Sequence, residues 1–403
     1  MAELTMRRGR KIRGMKILST IILMVAVGEA LANTQDEKLP MDRVWQFARQ
    51  QLRRTATEWN DTIKYPRFAG PDGKWVTSPI QYWTSGFFPG CLWFAFEQSK
   101  DPFFRAAAMR WTEGLESLQY FRDHHDVGFM IFCSYGNGYR LTKNKQYKDV
   151  ILQAARTLMT RYNPTVGCIK SWDKRKWPYP VIIDNMMNLE LLYWASQNGG
   201  TQDMYDAAFS HAVKTMQNHF RPDYSSYHVL SYDTTTGGVL SKGTNQGYAD
   251  SSCWARGQAW AIYGFTMSYR YTKDPRFLHT AQRSADYFIS HLPAEYVPYW
   301  DFQAPGIPNE PRDVSAAAIA SSALFELAQY GDETRLKNKY REAAEKMLSS
   351  LCSAPYLAEG TSSPAILNHS VGSKPANAEV DVSVIYADYY FLEAMLRYLQ
   401  IRK

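Results

Sequence analysis

Hydrophobic positions recur at helical spacing along most of the chain after residue 40. In the stretch 183–194, apolar residues at Ile183, Met186, Met187, Leu191 and Trp194 follow the spacing of one helix face. Such patterns predict twelve helices, at 41–58, 86–99, 103–121, 128–142, 145–162, 184–197, 202–220, 252–272, 275–291, 313–330, 333–352 and 381–400. Strand-like alternation is scarce, and we interpret only 229–232 as a possible arm of a short hairpin.

A dozen helices without a break in composition predict successive helical hairpins in two concentric rings. We therefore expect an all-α (α/α)6 barrel and one catalytic domain over 33–403. Inner helices should be apolar around most of their circumference, as 128–133, 183–194, 259–267 and 315–327 are. An open α-solenoid is the alternative, but no repeat period of that kind is visible.

Four long loops are predicted between the helices, at 163–181, 223–250, 292–312 and 352–380. Loops of this length inside a compact domain are usually functional. We expect all four to open at one end of the barrel and to form the active-site cleft there.

The amino terminus has the pattern of an export signal. Six cations lie between Arg7 and Lys16, the apolar run 17–27 follows, and Ala30-Leu31-Ala32 matches a small-x-small cleavage site. We interpret 1–32 as a signal peptide and expect a periplasmic protein without a membrane anchor after cleavage. The apolar run is too short for a stable transmembrane helix.

Charge and composition narrow the function further. Six cations and two acids of the predicted signal peptide account for +4 of the formal net charge of +7, so the remainder, at +3, is nearly neutral and lacks a field for nucleic acid. The chain has 12 Trp and 27 Tyr, which suits stacking on sugars but also suits a helical core. Five scattered cysteines without C-x-x-C spacing indicate buried thiols, and no motif indicates a metal site.

Two aspartates are the strongest candidates for chemistry. Asp126 and Asp184 each come just before an apolar helical segment, so that each side chain can face a cavity. Aspartate is also a favoured N-cap, because its oxygen accepts a hydrogen bond from an unpaired backbone N–H. Capping therefore stays open as the alternative role for both.

The densest polar stretch is 243–260, a loop that runs into a helix. Arg256 and Trp260 are four residues apart and share a helix face. An arginine fork suits a carboxylate, and a neighbouring tryptophan suits a sugar ring. The alternatives are that Arg256 packs on a tryptophan or pairs with Asp250. Trp83 is likewise either a pocket wall or core.

Several motifs occur together in one order along the chain. They are 83–90 (WTSGFFPG), 125–129 (HDVGF), 184–188 (DNMMN), 246–260 (QGYADSSCWARGQAW), 311–318 (PRDVSAAA) and 386–394 (YADYYFLEA). With them the chain resembles the unsaturated glucuronyl hydrolases of glycoside hydrolase family 88. The resemblance spans nearly all of the chain after the predicted signal peptide and implies an (α/α)6 barrel without a metal or organic cofactor.

The resemblance also implies roles for individual residues. Asp184 matches the general acid/base and Asp126 its partner carboxylate. His228 matches a pocket histidine, although a lone histidine is more often structural. The implied substrate contacts are Thr244, Gln246, Trp254, Arg256 and Trp260.

Two departures from the family pattern concern substrate contacts. Asn245 stands where several relatives have histidine. The loop 368–375 (NHSVGSKP) differs from a Ser-x-x-Ser-x-Lys sulfate loop, since Lys374 comes one residue early. Ser370 and Ser373 are still candidates for reading a sulfated sugar, with an ordinary turn as the alternative.

The implied reaction is hydration of the C4=C5 bond of an unsaturated glucuronic acid at the non-reducing end of a short oligosaccharide that a lyase has released from a glycosaminoglycan of the chondroitin, hyaluronan or heparin type. It needs a carboxyl group that first donates and then accepts a proton. A helix N-terminus would lower the pKa of Asp184, whereas a second carboxylate and a desolvated aromatic pocket would raise it. We expect the raised pKa at Asp184 and an ionised Asp126. The alternatives are an unsaturated rhamnogalacturonyl hydrolase acting on pectin fragments and a non-catalytic periplasmic glycan-binding protein.

Overall fold

A computed structural model describes residues 39–59, 63–173 and 176–402, and the predicted signal peptide lies outside these ranges. Contacts group Met41–Lys403 into one compact unit. Its described residues form twelve α-helices: α1 Met41–Glu58, α2 Phe87–Ser99, α3 Pro102–Glu113, α4 Asn137–Thr142, α5 Lys145–Met159, α6 Asn185–Gln197, α7 Gln202–Asn218, α8 Ala255–Thr272, α9 Pro275–Ser290, α10 Val314–Leu327, α11 Thr334–Leu351 and α12 Ile385–Ile401.

The helices form two rings. The inner ring consists of α2, α4 with the π-helical segment Gly128–Gly136 before it, α6, α8, α10 and α12. Each inner element contacts the next, and α12 returns to α2, so that the ring is closed. Helices α1, α3, α5, α7, α9 and α11 pack outside it. The predicted (α/α)6 barrel is confirmed.

Burial explains which helices lie inside. All 14 residues of α10 are buried, because it has neighbours on every side. The outer helix α9 has 16 residues, and its seven buried residues recur at helical spacing along one face. Apolar character around the whole helix therefore distinguished inner from outer helices. No helix within the described ranges has the length and apolar character needed to cross a bilayer.

Most predicted boundaries agree with the structure to within about three residues, and three helices differ in a way that has a structural reason. The helix expected over 103–121 is α3, which ends at Glu113 before Gly114, followed by the 3₁₀ turn Glu116–Tyr120. The helix expected from 381 begins at Ile385, because the residues before it form a strand. The first part of the helix expected over 128–142 is π-helical, a rare geometry that is common at functional sites.

Three small antiparallel sheets lie in the loops of the barrel. The strands are β1 Lys64–Ala69, β2 Trp75–Pro79, β3 Tyr162–Asn163, β4 Cys168–Ile169, β5 Pro180–Ile182, β6 Val229–Tyr232, β7 Val239–Gly243, β8 Ser370–Ser373 and β9 Ala378–Val384. They are ordered β2-β1-β9-β8, β3-β4 and β5-β6-β7. The strand expected at 229–232 is confirmed, and the other eight were missed. Six of them have five residues or fewer, but β9 alternates as Ala-Glu-Val-Asp-Val-Ser-Val and was a usable signal.

Candidate active site

The two predicted aspartates lie in the wall of one cavity. Asp126 comes just before the π-helical segment, Asp184 directly before α6, and Arg256 in the first turn of α8. These starts lie at the same end of the inner ring. The cavity has a volume of about 220 Å³ and is lined by Tyr82, Trp83, His125, Asp126, Phe129, Trp172, Ile182, Asp184, Asn245, Gln246 and Arg256.

Neither aspartate side chain is used as a helix cap. Asp184 stands at the N-cap position of α6, but its side chain makes no capping hydrogen bond. The residue at the N-cap of the π-helical segment is Val127, and the Asp126 carboxylate contacts histidines instead. The capping alternative is wrong for Asp184, so its carboxyl group is available to the cavity.

Burial controls the protonation of Asp184. The loss of solvent raises the pKa of its carboxyl group to about 7, with a smaller upward contribution from the charge of Asp126. The Arg256 guanidinium and the Trp260 indole oppose this shift. A carboxyl group with a pKa near neutrality can both donate and accept a proton, as an acid/base catalyst must.

Asp126 is held in the opposite protonation state. Burial alone would raise its pKa, but the rings of His125 and His124 and the Asn188 amide outweigh burial and lower it. His124 Nδ1 lies 3.2 Å from Asp126 Oδ2, and His125 Nε2 lies 3.3 Å from Oδ1. The expected division into a neutral Asp184 and an ionised Asp126 agrees with these pKa directions.

Arg256 lies in the cavity wall, but protein oxygens occupy its guanidinium. Nη1 donates to Asp313 Oδ2 at 2.9 Å and to the Val371 carbonyl, and Nη2 donates to the Gly372 carbonyl at 2.6 Å. Arg256 also stacks on Trp254 at 4.5 Å, whereas Asp250 accepts from the Thr244 backbone instead. The bidentate fork that we expected for a sugar carboxylate is therefore engaged by the protein.

The three remaining aromatic and histidine candidates lie behind the cavity wall. Trp260 is fully buried and faces Asp184. Trp254 is buried under His228, with their ring centroids 4.5 Å apart. The His228 side chain is 1% exposed, and its Nε2 lies 3.6 Å from Asp184 Oδ2. Their substrate contacts stay predictions, since none of the three lines the cavity.

The loop 243–250 holds the other two candidates in different roles. Thr244 Oγ1 accepts a hydrogen bond from Gly247 N at 2.7 Å, which shapes the loop, and Thr244 does not line the cavity. Gln246 lines the cavity, and its Nε2 donates to the Gly372 carbonyl at 2.9 Å. Gly372 therefore links this loop and Arg256 to β8.

Ser370 and Ser373 belong to β8, so that their segment is a strand rather than a turn. Ser370 is buried, Ser373 and Lys374 are half-buried, and none of the three lines the cavity. A role of Ser370 and Ser373 in binding a sulfated sugar stays a prediction.

Sequence reasoning missed several lining residues. Tyr82 and His125 each stand beside a residue that we had singled out, Trp83 and Asp126. Trp172 stands in the long loop 163–181, where an isolated tryptophan was a usable signal. Within the described ranges, no group of three or more His, Cys, Asp or Glu side chains could hold a metal ion.

Comparisons with known proteins place this geometry in a family. The model of Glycosyl Hydrolase Family 88 matches residues 46–400. An unsaturated glucuronyl hydrolase of Formosa agariphila is 49% identical over 325 residues, which cover 79% of this chain and 80% of the relative.

Solved structures agree with that assignment. The crystal structure of an unsaturated glucuronyl hydrolase specific for heparin superposes with a TM-score of 0.87 at 46% identity, covering 90% of this chain and 97% of the other. A Streptococcus agalactiae unsaturated glucuronyl hydrolase variant complexed with dGlcA-GalNAc6S gives a TM-score of 0.78 at 31% identity, covering 90% and 93%. The chain belongs to glycoside hydrolase family 88.

Proposed function

We propose that this protein removes the 4,5-unsaturated glucuronyl residue from the non-reducing end of oligosaccharides that lyases release from glycosaminoglycans. The names of its relatives support this substrate class: an unsaturated glucuronyl hydrolase at 49% identity and a structural neighbour specific for heparin. A more distant relative, at 34% identity over 345 residues, is an unsaturated chondroitin disaccharide hydrolase of Streptococcus pyogenes.

The observation that carries the proposal is the pair of aspartates in one cavity with opposite pKa shifts. Burial raises the pKa of Asp184 to about 7, whereas two histidine rings and an amide outweigh burial at Asp126. A neutral acid beside an ionised carboxylate suits a reaction in which positive charge develops on the substrate.

The proposed reaction begins with proton transfer from Asp184 to C4 of the unsaturated sugar. Oxocarbenium character then develops at C5, where the charge of Asp126 stabilises it. Water adds to C5, and Asp184 takes up the proton that the water releases. The resulting hemiketal opens to a C5 ketone, which leaves a hemiacetal at C1. That hemiacetal loses the second sugar as an alcohol, so that one water is consumed overall.

The cavity walls fit an unsaturated uronate. Tyr82, Trp83 and Trp172 offer aromatic faces to the sugar ring, which is a common mode of sugar binding. The guanidinium of Arg256 faces the cavity even though its two terminal nitrogens are engaged, so that its charge attracts the uronate carboxylate. Gln246 and Asn245 add polar contacts at the rim.

Export is part of the proposal. The cationic segment, apolar run and small-x-small site within 1–32 support secretion into the periplasm. Mass spectrometry of the protein from a periplasmic extract should show a chain that begins at Asn33. A full-length chain confined to the cytoplasm would contradict export.

One assay panel tests the function. The wild-type protein is incubated with lyase-generated heparin, chondroitin and pectin disaccharides while the ultraviolet absorbance of the conjugated C=C bond is followed. We expect loss of absorbance with the glycosaminoglycan disaccharides. Loss with the pectin disaccharide alone would favour a rhamnogalacturonyl hydrolase, and binding without turnover would favour a glycan-binding protein.

Matched variants test the roles of the aspartates. Asp184→Asn should lower kcat by at least about 1,000-fold with binding retained, because the amide cannot donate the proton. Asp123→Asn is the control, since Asp123 is exposed and does not line the cavity. Turnover by Asp184→Asn at the level of the control would show that another group is the acid.

A further inference from the structure

The His228 ring is fixed in a narrow position beside the proposed acid. It lies between Trp254, at a centroid distance of 4.5 Å, and Trp172, which meets it edge-on at 6.3 Å. The His228 backbone carbonyl accepts a hydrogen bond from Ile183 N at 3.0 Å, one residue before Asp184. The main chain of His228 is therefore tied to the start of α6, and its ring is held between the two tryptophans.

Two backbone amides determine which ring nitrogen carries the proton. Asn245 N and Gln246 N each donate to His228 Nδ1 at 3.1 Å. A nitrogen that accepts from two N–H groups cannot carry a proton of its own, because that proton would point at two donors. A neutral imidazole has one donor and one acceptor nitrogen, so that the proton of His228 is on Nε2.

The protonated nitrogen faces Asp184. Nε2 lies 3.6 Å from Asp184 Oδ2, which is longer than an ordinary hydrogen bond, and such contacts tighten when a substrate is bound. The other polar groups facing this carboxyl are Asp126, just before the π-helical segment, and Arg256 and Trp260 from α8. Among these neighbours, His228 offers Asp184 a directed N–H without a net charge.

We propose that His228 is a positioning residue locked in the Nε2–H tautomer, which donates to Asp184 whenever that carboxyl is ionised. This role rests on the proposed function of Asp184 as the acid/base. A permanently neutral donor stabilises the carboxylate left after proton transfer without holding Asp184 ionised beforehand, as a second cation would.

The hydrogen bonds to His228 Nδ1 also connect Asp184 to the loop 243–250. The amides that hold Nδ1 belong to Asn245 and Gln246, and both residues line the cavity. When the loop is in place, the ring is aimed at Asp184; when the loop moves away, Nδ1 loses both donors and either tautomer becomes possible. The Nε2–H of His228 therefore points at Asp184 only when Asn245 and Gln246 are in place in the cavity wall.

The tautomer can be measured on the wild-type protein. Nitrogen-15 NMR of the histidine rings, with His228 assigned by its absence from a variant, distinguishes protonated from unprotonated nitrogens. We expect Nδ1 to be unprotonated and Nε2 to be protonated throughout pH 5–8. A proton on Nδ1, or an imidazolium that forms in the ordinary histidine range of about 6.5, would overturn the proposal.

Two substitutions test the roles of the two ring nitrogens of His228 separately. In His228→Asn the side-chain oxygen replaces the Nδ1 acceptor, but the donor to Asp184 is lost. In His228→Gln the amide nitrogen reaches the Nε2 position, but the acceptor for the loop is lost. Thermal unfolding of both variants tests whether they fold, and the NMR experiment on the wild type does not depend on them.

The pH profile of kcat distinguishes a positioning role from a structural one. Removing a donor destabilises the carboxylate of Asp184, so that His228→Asn should move the alkaline limb of kcat upward by about 0.5–1 pH unit. His228→Gln should leave this limb in place and raise KM, because its loop is looser. An unmoved limb in His228→Asn would refute the proposal. Full turnover by Asp184→Asn would refute the proposed role of Asp184 as the acid. The NMR measurement would still show which ring nitrogen of His228 carries the proton.

Discussion

Gly128 is a position of close contact between the π-helical segment and α6. A Cβ atom at Gly128 would lie 2.5 Å from Asn188 Oδ1 and 2.6 Å from Asn188 Cα. Carbon atoms normally pack at about 3.5 Å or more, so that Gly128→Ala must separate the π-helical segment from α6 by roughly 0.9 Å. These two segments carry Asp126 and Asp184, and the substitution therefore acts on their relative position.

The cost follows from the contacts that must shift. Forcing a methyl group into a well-packed core costs about 1–3 kcal/mol. The hydrogen bond from Phe129 N to Asn188 Oδ1, 2.9 Å long, crosses the same contact, and its loss adds about 1 kcal/mol. We expect Gly128→Ala to lower the free energy of unfolding by roughly 2–4 kcal/mol. A displacement near 1 Å should also lower kcat by about 100-fold.

Urea denaturation and steady-state kinetics with an unsaturated disaccharide measure both effects. Gly70→Ala is the matched control, because a Cβ there would meet only Asp72 Oδ1 at 3.8 Å. We expect the control to stay within about 0.5 kcal/mol of the wild type, as surface substitutions usually do. If Gly128→Ala behaved like Gly70→Ala in both assays, the close approach of the two segments would not be what positions the aspartates.

Three further predictions follow from buried charges and thiols. The pKa of Asp184 in the folded protein, near 7, exceeds the ordinary carboxyl value of about 4, so that the protein loses stability as the pH rises from about 4 to 7. Compared with the wild type, Asp184→Asn should therefore raise the free energy of unfolding by roughly 2–4 kcal/mol at pH 8 and by little at pH 4. Equal stabilities of the two proteins at pH 8 would contradict this. Arg256→Met leaves Asp313 buried without its ion-pair partner and should lower the free energy of unfolding in urea by about 3–5 kcal/mol. The double variant Arg256→Met/Asp313→Leu should recover part of this loss. Additive losses from the two substitutions would argue against an energetic coupling of the pair. All five cysteines are free and buried, so that dithiothreitol should leave the Tm unchanged, and a drop of several degrees would reveal a disulfide.

The helical framework was predictable because its signal is local. Apolar residues at 183–194 and 315–327 repeat at helical spacing, and inner helices are apolar on all sides because they are surrounded. The strands of the loops were harder to predict, because a strand is stabilised by the strand with which it pairs and not by its own residues alone. Strand β1 pairs with β9 near the carboxyl end of the chain, for example. Strand β9 alternates apolar and polar residues, whereas β1 carries no such periodicity.

The sequence alone identified Asp126 and Asp184 as two acids at helix starts, together with the family motifs around them. Only the tertiary structure decided that they line one cavity, that burial raises the pKa of Asp184 while histidines lower that of Asp126, and that Arg256 is engaged by Asp313. The physical reason is that helix formation depends on neighbours in the chain. Desolvation, ion pairing and the tautomer of His228 instead depend on groups that only the folded barrel brings together.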